Sequence, residues 1–161
     1  MSDVITEKQA ADIYQDLLDR IGASYFDNDY VSFRTAMAVP HTYSSDAKEQ
    51  MIDSYEQLEV AFHSFREYLQ GMGVTEMHRE CTGATALGNR KIIGGHTTAL
   101  RRDGLDVQEP YGVWATLELT DEGWKVISSV NDVSDTAWQS KAFGEGVHGL
   151  YLRPSGTAES A

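Results

Sequence analysis

The sequence predicts an α+β fold in which helices from the first half cover one face of an antiparallel sheet built in the second. Two observations carry this expectation. Tight-turn residues recur at Leu87-Gly88-Asn89-Arg90, Arg102-Asp103-Gly104-Leu105 and Thr120-Asp121-Glu122-Gly123, where Gly, Asn and Asp supply the positive φ that hairpins need. Between them lie β-branched and aromatic segments of strand length, so 74–132 reads as a four-strand meander. The second observation is that the three turns, read separately, agree on which face of the sheet is apolar.

That agreement comes from pairing outward from each turn. If Asp103-Gly104 is a two-residue turn, Arg102 pairs with Leu105 and His96 falls opposite Tyr111. If Leu119 and Trp124 flank the last turn, Val113 opposes Val130 and Tyr111 opposes Asp132. With Gly88-Asn89 as the first turn, Cys81 opposes His96. Opposed residues share a face, and a face repeats at every second residue. One face then carries Met77, Cys81, Ile92, His96 and Leu100. It continues through Tyr111, Val113, Ala115 and Leu117 to Leu119, Trp124, Val126 and Val130. The other carries Glu76, His78, Glu80, Thr97, Arg101, Glu118, Lys125 and Asn131, interrupted by Ile93, Trp114 and Ile127. A one-residue slip would exchange the faces.

The helices precede the sheet. Thr6 and Gln9 form a capping-box pair that opens the first. Its apolar stripe is Ala10, Ile13, Tyr14, Leu17, Ile21 and Tyr25, at helical spacing, and Asp27-Asn28-Asp29 breaks it. A short second helix follows over 30–36. Pro40 forbids helix and biases Val39 to β, so 39–44 reads as extended. Ser54 and Gln57 repeat the capping pair before Leu58, Ala61, Phe62, Phe65 and Leu69, and Gly71 ends that third helix. After the meander, 135–143 reads as a last helical turn or two. Residues 1–143 are expected to form one domain, with 144–161 a Gly- and Ser-containing tail.

Bulk properties narrow the classes of function. Hydrophobic residues make up 41% of the 161-residue chain, in keeping with a soluble globular protein. Net charge is −12, from 25 acidic against 13 basic residues, a field that repels phosphate backbones and anionic lipid. Nucleic acid and membrane are therefore not expected partners. The single cysteine, Cys81, excludes an intrachain disulfide and fits a reducing compartment. With a polar, acidic N-terminus and no long apolar run, a cytoplasmic protein is expected.

The order of elements, with particular segments, resembles the nuclear transport factor 2-like superfamily, which includes the SnoaL-like proteins. The segments are Tyr25-Phe26-Asp27-Asn28-Asp29-Tyr30 at the helix break, Val39-Pro40-His41 in the first strand, and 54–73 in the third helix. The fourth is the closing hairpin from Leu117 through Thr120-Asp121-Glu122-Gly123-Trp124 to Ile127. The resemblance covers 6–133. It implies that the N-terminal helices pack on the concave face of a strongly curved, mostly antiparallel sheet of four to six strands. Such a cone-shaped barrel holds a pocket in its concave face.

Within that implied pocket the register gathers His96, Tyr111 and Asp132 into one row, with Cys81 at its end. The next row holds Arg79, Thr98 and Glu109. A few polar groups converging in an apolar concavity are the usual form of a small-molecule site. His96 with Asp132 reads as a general base and its orienting carboxylate, with Tyr111 as donor. The bland alternative is a satisfied structural network. Ligand contacts are expected from His41, Tyr43, Arg79, Cys81, Val113 and Val130. Arg79 and Glu109 read as an ion pair at the rim, and Cys81 equally as a small core residue. No short ligand spacing supports a metal among His41, His96 and Asp132, and no cofactor is implied. His63 reads as solvated surface, and Gly94-Gly95 as a bulge or sharp bend.

Ketosteroid isomerases of the superfamily use a tyrosine and two acids. Ile21, Ser44 and Ala115 stand in those places here, which argues against that mechanism; scytalone dehydratase, with His, Asp and tyrosines, is closer in residue types. The reading is a small-molecule-binding protein with an apolar concave pocket. A cofactor-free lyase, isomerase or cyclase using a His-Asp pair and a non-catalytic accessory subunit are the alternatives. Ile93, Trp114 and Ile127 on the outer face suggest a homodimer, or cover by the C-terminal tail.

Overall fold

A computed structural model describes residues 4–44 and 49–131. The expected turn of helix at 135–143, the tail and Asp132 lie outside the described residues.

Helix α1 spans Glu7–Asp27 and opens on the full Thr6/Gln9 capping box, each side chain bonded to the other's backbone N–H. It ends where Asn28 turns left-handed at φ 54°. Helix α2, Tyr30–Ala36, is capped by Asp29, whose carboxylate accepts from the Ser32 N–H. Helix α3, Tyr55–Gly71, is capped by Ser54, while the Gln57 amide oxygen reaches back to the Asp53 N–H at 2.6 Å. Gly71 is its last residue rather than its stop. The left-handed residue is Gly73, with Val74 N–H bonded to Leu69 O and Gly73 N–H to Gln70 O.

Among the described residues, seven strands form one sheet. They are β1 Met37–Ser44, β2 Glu49–Ile52, β3 Glu76–Leu87, β4 Lys91–Arg102, β5 Leu105–Asp106, β6 Tyr111–Thr120 and β7 Gly123–Asn131. The order is β2-β1-β7-β6-β4-β3, with β5 beside β4; all pairings are antiparallel except β1 with β7. This is the α+β architecture expected, with two short strands added.

Three local features move the register. The first turn holds three residues, closing Leu87 on Lys91, and a bulge between Cys81 and Gly83 then restores Cys81 opposite His96. At the second turn Asp103 and Gly104 both take positive φ, and Arg102 pairs with Leu105 as expected. The pairing stops after Asp106, and β6 resumes two residues out of step, so Tyr111 lies opposite Thr98 and Val113 opposite His96. An even shift preserves the face. In β7 a one-residue bulge between Val126 and Ser128 does not: Val113 meets Asn131 and Trp114 meets Val130. Val130 is therefore on the outer face at 46% exposure, and Asn131 is buried inside.

The core lies between the inner sheet face and the helices. Helix α1 contributes Tyr14, Leu17, Ile21 and Tyr25, and α3 contributes Leu58, Phe62, Phe65 and Leu69. Each such side chain stabilises the fold by about 1.5–3 kcal/mol through burial. Tyr25 holds the aromatic centre, 4.7 Å from Phe65 and 5.2 Å from Phe33 by ring centroids. Outside, Ile93, Trp114 and Val130 form an exposed apolar row, and Ile127 is half-buried. His63 is exposed beside Glu59, as expected of a surface residue. No helix among the described residues is long and apolar enough to cross a membrane.

Candidate functional site

The concave face and the helices enclose a cavity of about 90 Å³. Its wall is mostly aliphatic and aromatic: α1 supplies Leu17, Leu18 and Ile21, and the sheet supplies Val113, Ala115, Leu117 and Val126. The polar groups in the wall are few. They are Tyr14, Tyr25, His41, Tyr43, Arg79, His96 and Ser129.

His96 and Tyr14 form the centre. The Tyr14 hydroxyl lies 2.7 Å from His96 Nδ1 in a buried contact. Tyr14 reaches that position because Gly94 has no side chain: a Cβ there would fall 2.6 Å from the Tyr14 ring. Gly95 does the same on the outer face, where Trp114 lies flat over it, at 2.7 Å from where its Cβ would be. The glycine pair thus makes room for an aromatic ring on each side of β4, beside the bulge in β3.

Burial sets the charge of these groups. Desolvation, then the Arg79 charge, holds His96 down to about 3, so its imidazole is neutral at neutral pH. Desolvation raises the Tyr14 phenol well above its ordinary range. A neutral Tyr14 donating to Nδ1 leaves the proton on His96 Nε2, which is buried with no partner.

His41 comes from β1, where parallel pairing with β7 brings Nδ1 to 3.4 Å from Val126 O and Nε2 to 3.5 Å from Ser129 Oγ. Desolvation holds it down to about 4, so it too is neutral. Tyr43, also on β1, accepts from Asn131 Nδ2.

Arg79 enters from β3, the terminal strand of the sheet. Its backbone is held by Gln15 of α1, whose amide donates to Arg79 O at 2.9 Å and accepts from Cys81 N–H at 2.8 Å. The guanidinium Nε and Nη1 are buried and make no hydrogen bond. Glu109 is exposed and does not pair with it, because the two-residue shift in β6 carries that residue away.

Of the residues read from the sequence, His41, Tyr43, Arg79, His96 and Val113 line the cavity. Tyr111 is buried opposite Thr98 and Cys81 is half-buried opposite His96, with burial raising its thiol pKa; neither lines the cavity. Val130 faces outward for the reason given, and Asp132 lies outside the described residues. Tyr14, Gln15 and Ser129 were not singled out. The signal for Tyr14 was present in Gly94, a residue without a side chain on the inward face of β4.

No family model and no curated protein matches the chain. Solved structures do. An NTF-2 like protein of unknown function from Shewanella oneidensis MR-1 superposes with a TM-score of 0.60 at 13% identity, over 76% of this chain and 98% of its own. A protein of unknown function with a cystatin-like fold from Nostoc punctiforme gives 0.60 at 13%, over 82% and 96%. An NTF2-like protein with a cystatin-like fold from Novosphingobium aromaticivorans gives 0.59 at 13%, over 84% and 89%.

Proposed function

We propose that this chain, which has the NTF2-like, cystatin-like α+β fold, binds a small and largely apolar molecule in the cavity between α1, α3 and the concave sheet face. The observation that carries the reading is an enclosed, mostly apolar space with a handful of polar groups directed at it. The chemistry of His96 favours binding over acid–base catalysis. An imidazole held to about 3 is a weak base at neutral pH, far from the match an efficient general base requires. Hexanol titrated into the purified protein and followed by calorimetry serves as the probe. Binding that falls at least tenfold in Ala115→Leu, which fills the cavity from its sheet wall, supports the reading. Binding indifferent to that change means the cavity is not the site.

The outer face supports a second copy as partner, through Ile93, Trp114 and Ile127, with Val130 brought to the same patch by the bulge. A sedimentation measurement is expected to give a dimer that Trp114→Glu converts to monomer. A wild-type monomer would dismiss this interface.

A further inference from the structure

We propose that the molecule held in this cavity is a monocarboxylate, with its carboxylate on Arg79 and His96 and its apolar body against the aliphatic wall. This rests on the cavity being the binding site and names the chemistry of what fills it.

Arg79 brings a cationic guanidinium whose planar fork of donors matches a carboxylate. It lines the cavity, and its Nε and Nη1 are shielded from solvent with no acceptor. Among the described residues it makes no ion pair. Its charge bears on Tyr14, Tyr25, His96 and Tyr111, which are all neutral at neutral pH. Arg79 as a whole is half-buried, but a guanidinium shielded at two of its nitrogens with no anion beside it is left incompletely satisfied, and an anion in the cavity would complete it. His96, in the wall of the same cavity, has a second buried nitrogen without a partner, Nε2, which is a donor in the tautomer where Tyr14 donates to Nδ1. Two residues with unpartnered buried nitrogens, one of them charged, line one space.

The choice of anion follows from count and size. One cation and one neutral donor match a single negative charge, and Arg suits the planar carboxylate. A phosphate dianion would bring a second charge into a wall whose only cation among the described residues is Arg79 and whose remainder is mostly aliphatic and aromatic. A space of about 90 Å³ favours a short aliphatic or single-ring body.

The test compares hexanoate with hexanol and benzoate with benzyl alcohol, by calorimetry, on the full chain, its Arg79→Met and its Ala115→Leu variants. In the wild type each carboxylate is expected to bind at least tenfold tighter than its alcohol. In Arg79→Met that preference disappears, while the alcohols bind as well or better. The unliganded Arg79→Met protein is expected to melt no lower than wild type, because an apolar side chain replaces an unpaired charge. A strong drop in melting temperature would mean the charge is compensated within the protein, and the inference falls. Acids and alcohols bound equally by the wild type, with Ala115→Leu weakening both, would leave the cavity as the site and remove the carboxylate. Carboxylate binding unaffected by Ala115→Leu, or no binding of any probe, would remove both.

Discussion

Lowering the pH from 7 to 5 is expected to cost the folded protein roughly 3–4 kcal/mol, nearly all of it from two histidines. His41 is held to about 4 and His96 to about 3, both below the ordinary 6.5, in each case chiefly by desolvation. The unfolded chain therefore takes up two protons near pH 6.5 that the folded chain refuses. Stability is full above that value and falls as the pH drops towards 4, at up to about 1.4 kcal/mol per pH unit for each histidine. Relief of the −12 net charge acts in the opposite sense, so the histidine variants rather than the slope alone isolate the imidazoles. Urea unfolding at pH 7, 6 and 5 reads the slope, and His41→Gln or His96→Gln should each remove about half of it. A slope unchanged in both variants would show that these side chains do not carry the effect.

Gly94→Ala is expected to destabilise the protein by about 1–3 kcal/mol, whereas Gly95→Ala should cost less than about 1 kcal/mol. Adjacent residues differ because of what each new methyl meets. At Gly94 the Cβ would lie 2.6 and 2.7 Å from two Tyr14 ring atoms and 2.9 Å from the Gly83 carbonyl oxygen. That ring is fully buried and tied to His96 through its hydroxyl, so neither neighbour can give cheaply. At Gly95 the obstacle is the Trp114 ring, which is 61% exposed in the single chain and gives way more cheaply than the buried Tyr14. Parallel urea melts of the two variants decide the matter, and equal losses would overturn the explanation. Hexanol binding should weaken in Gly94→Ala alone, since Tyr14 and His96 both line the cavity.

The contrast between what could and could not be read from the residues follows the same logic. Turn and cap chemistry is local, so the helices opened by Thr6 and Ser54 and the hairpins at Asp103-Gly104 and Asp121-Glu122 are legible. Cys81 opposite His96 came out right through compensation: the first turn is one residue longer than read, and the bulge in β3 absorbs it. The bulge in β7 had no such compensation, and nothing in Val126-Ile127-Ser128 marks it, so Val130 and Asn131 exchanged faces. Tyr111 moved two residues because the hairpin after Asp106 unravels ahead of Pro110 before β6 resumes. Strand β2, Glu-Gln-Met-Ile, has little β preference of its own and exists through its pairing with β1. The cavity's polar centre was half legible, since His96 is fixed by register but Tyr14 reaches it from 82 residues away.

Gln15 has a consequence beyond fixing Arg79. As the outermost member of the sheet, β3 turns a row of backbone donors and acceptors away from β4, and such a row invites another chain to dock by strand addition. The Gln15 amide takes up one donor and one acceptor of that row, on Arg79 and Cys81, in the way a neighbouring peptide group would. The helix thereby caps the exposed edge at Arg79 and Cys81, where an added strand would otherwise pair.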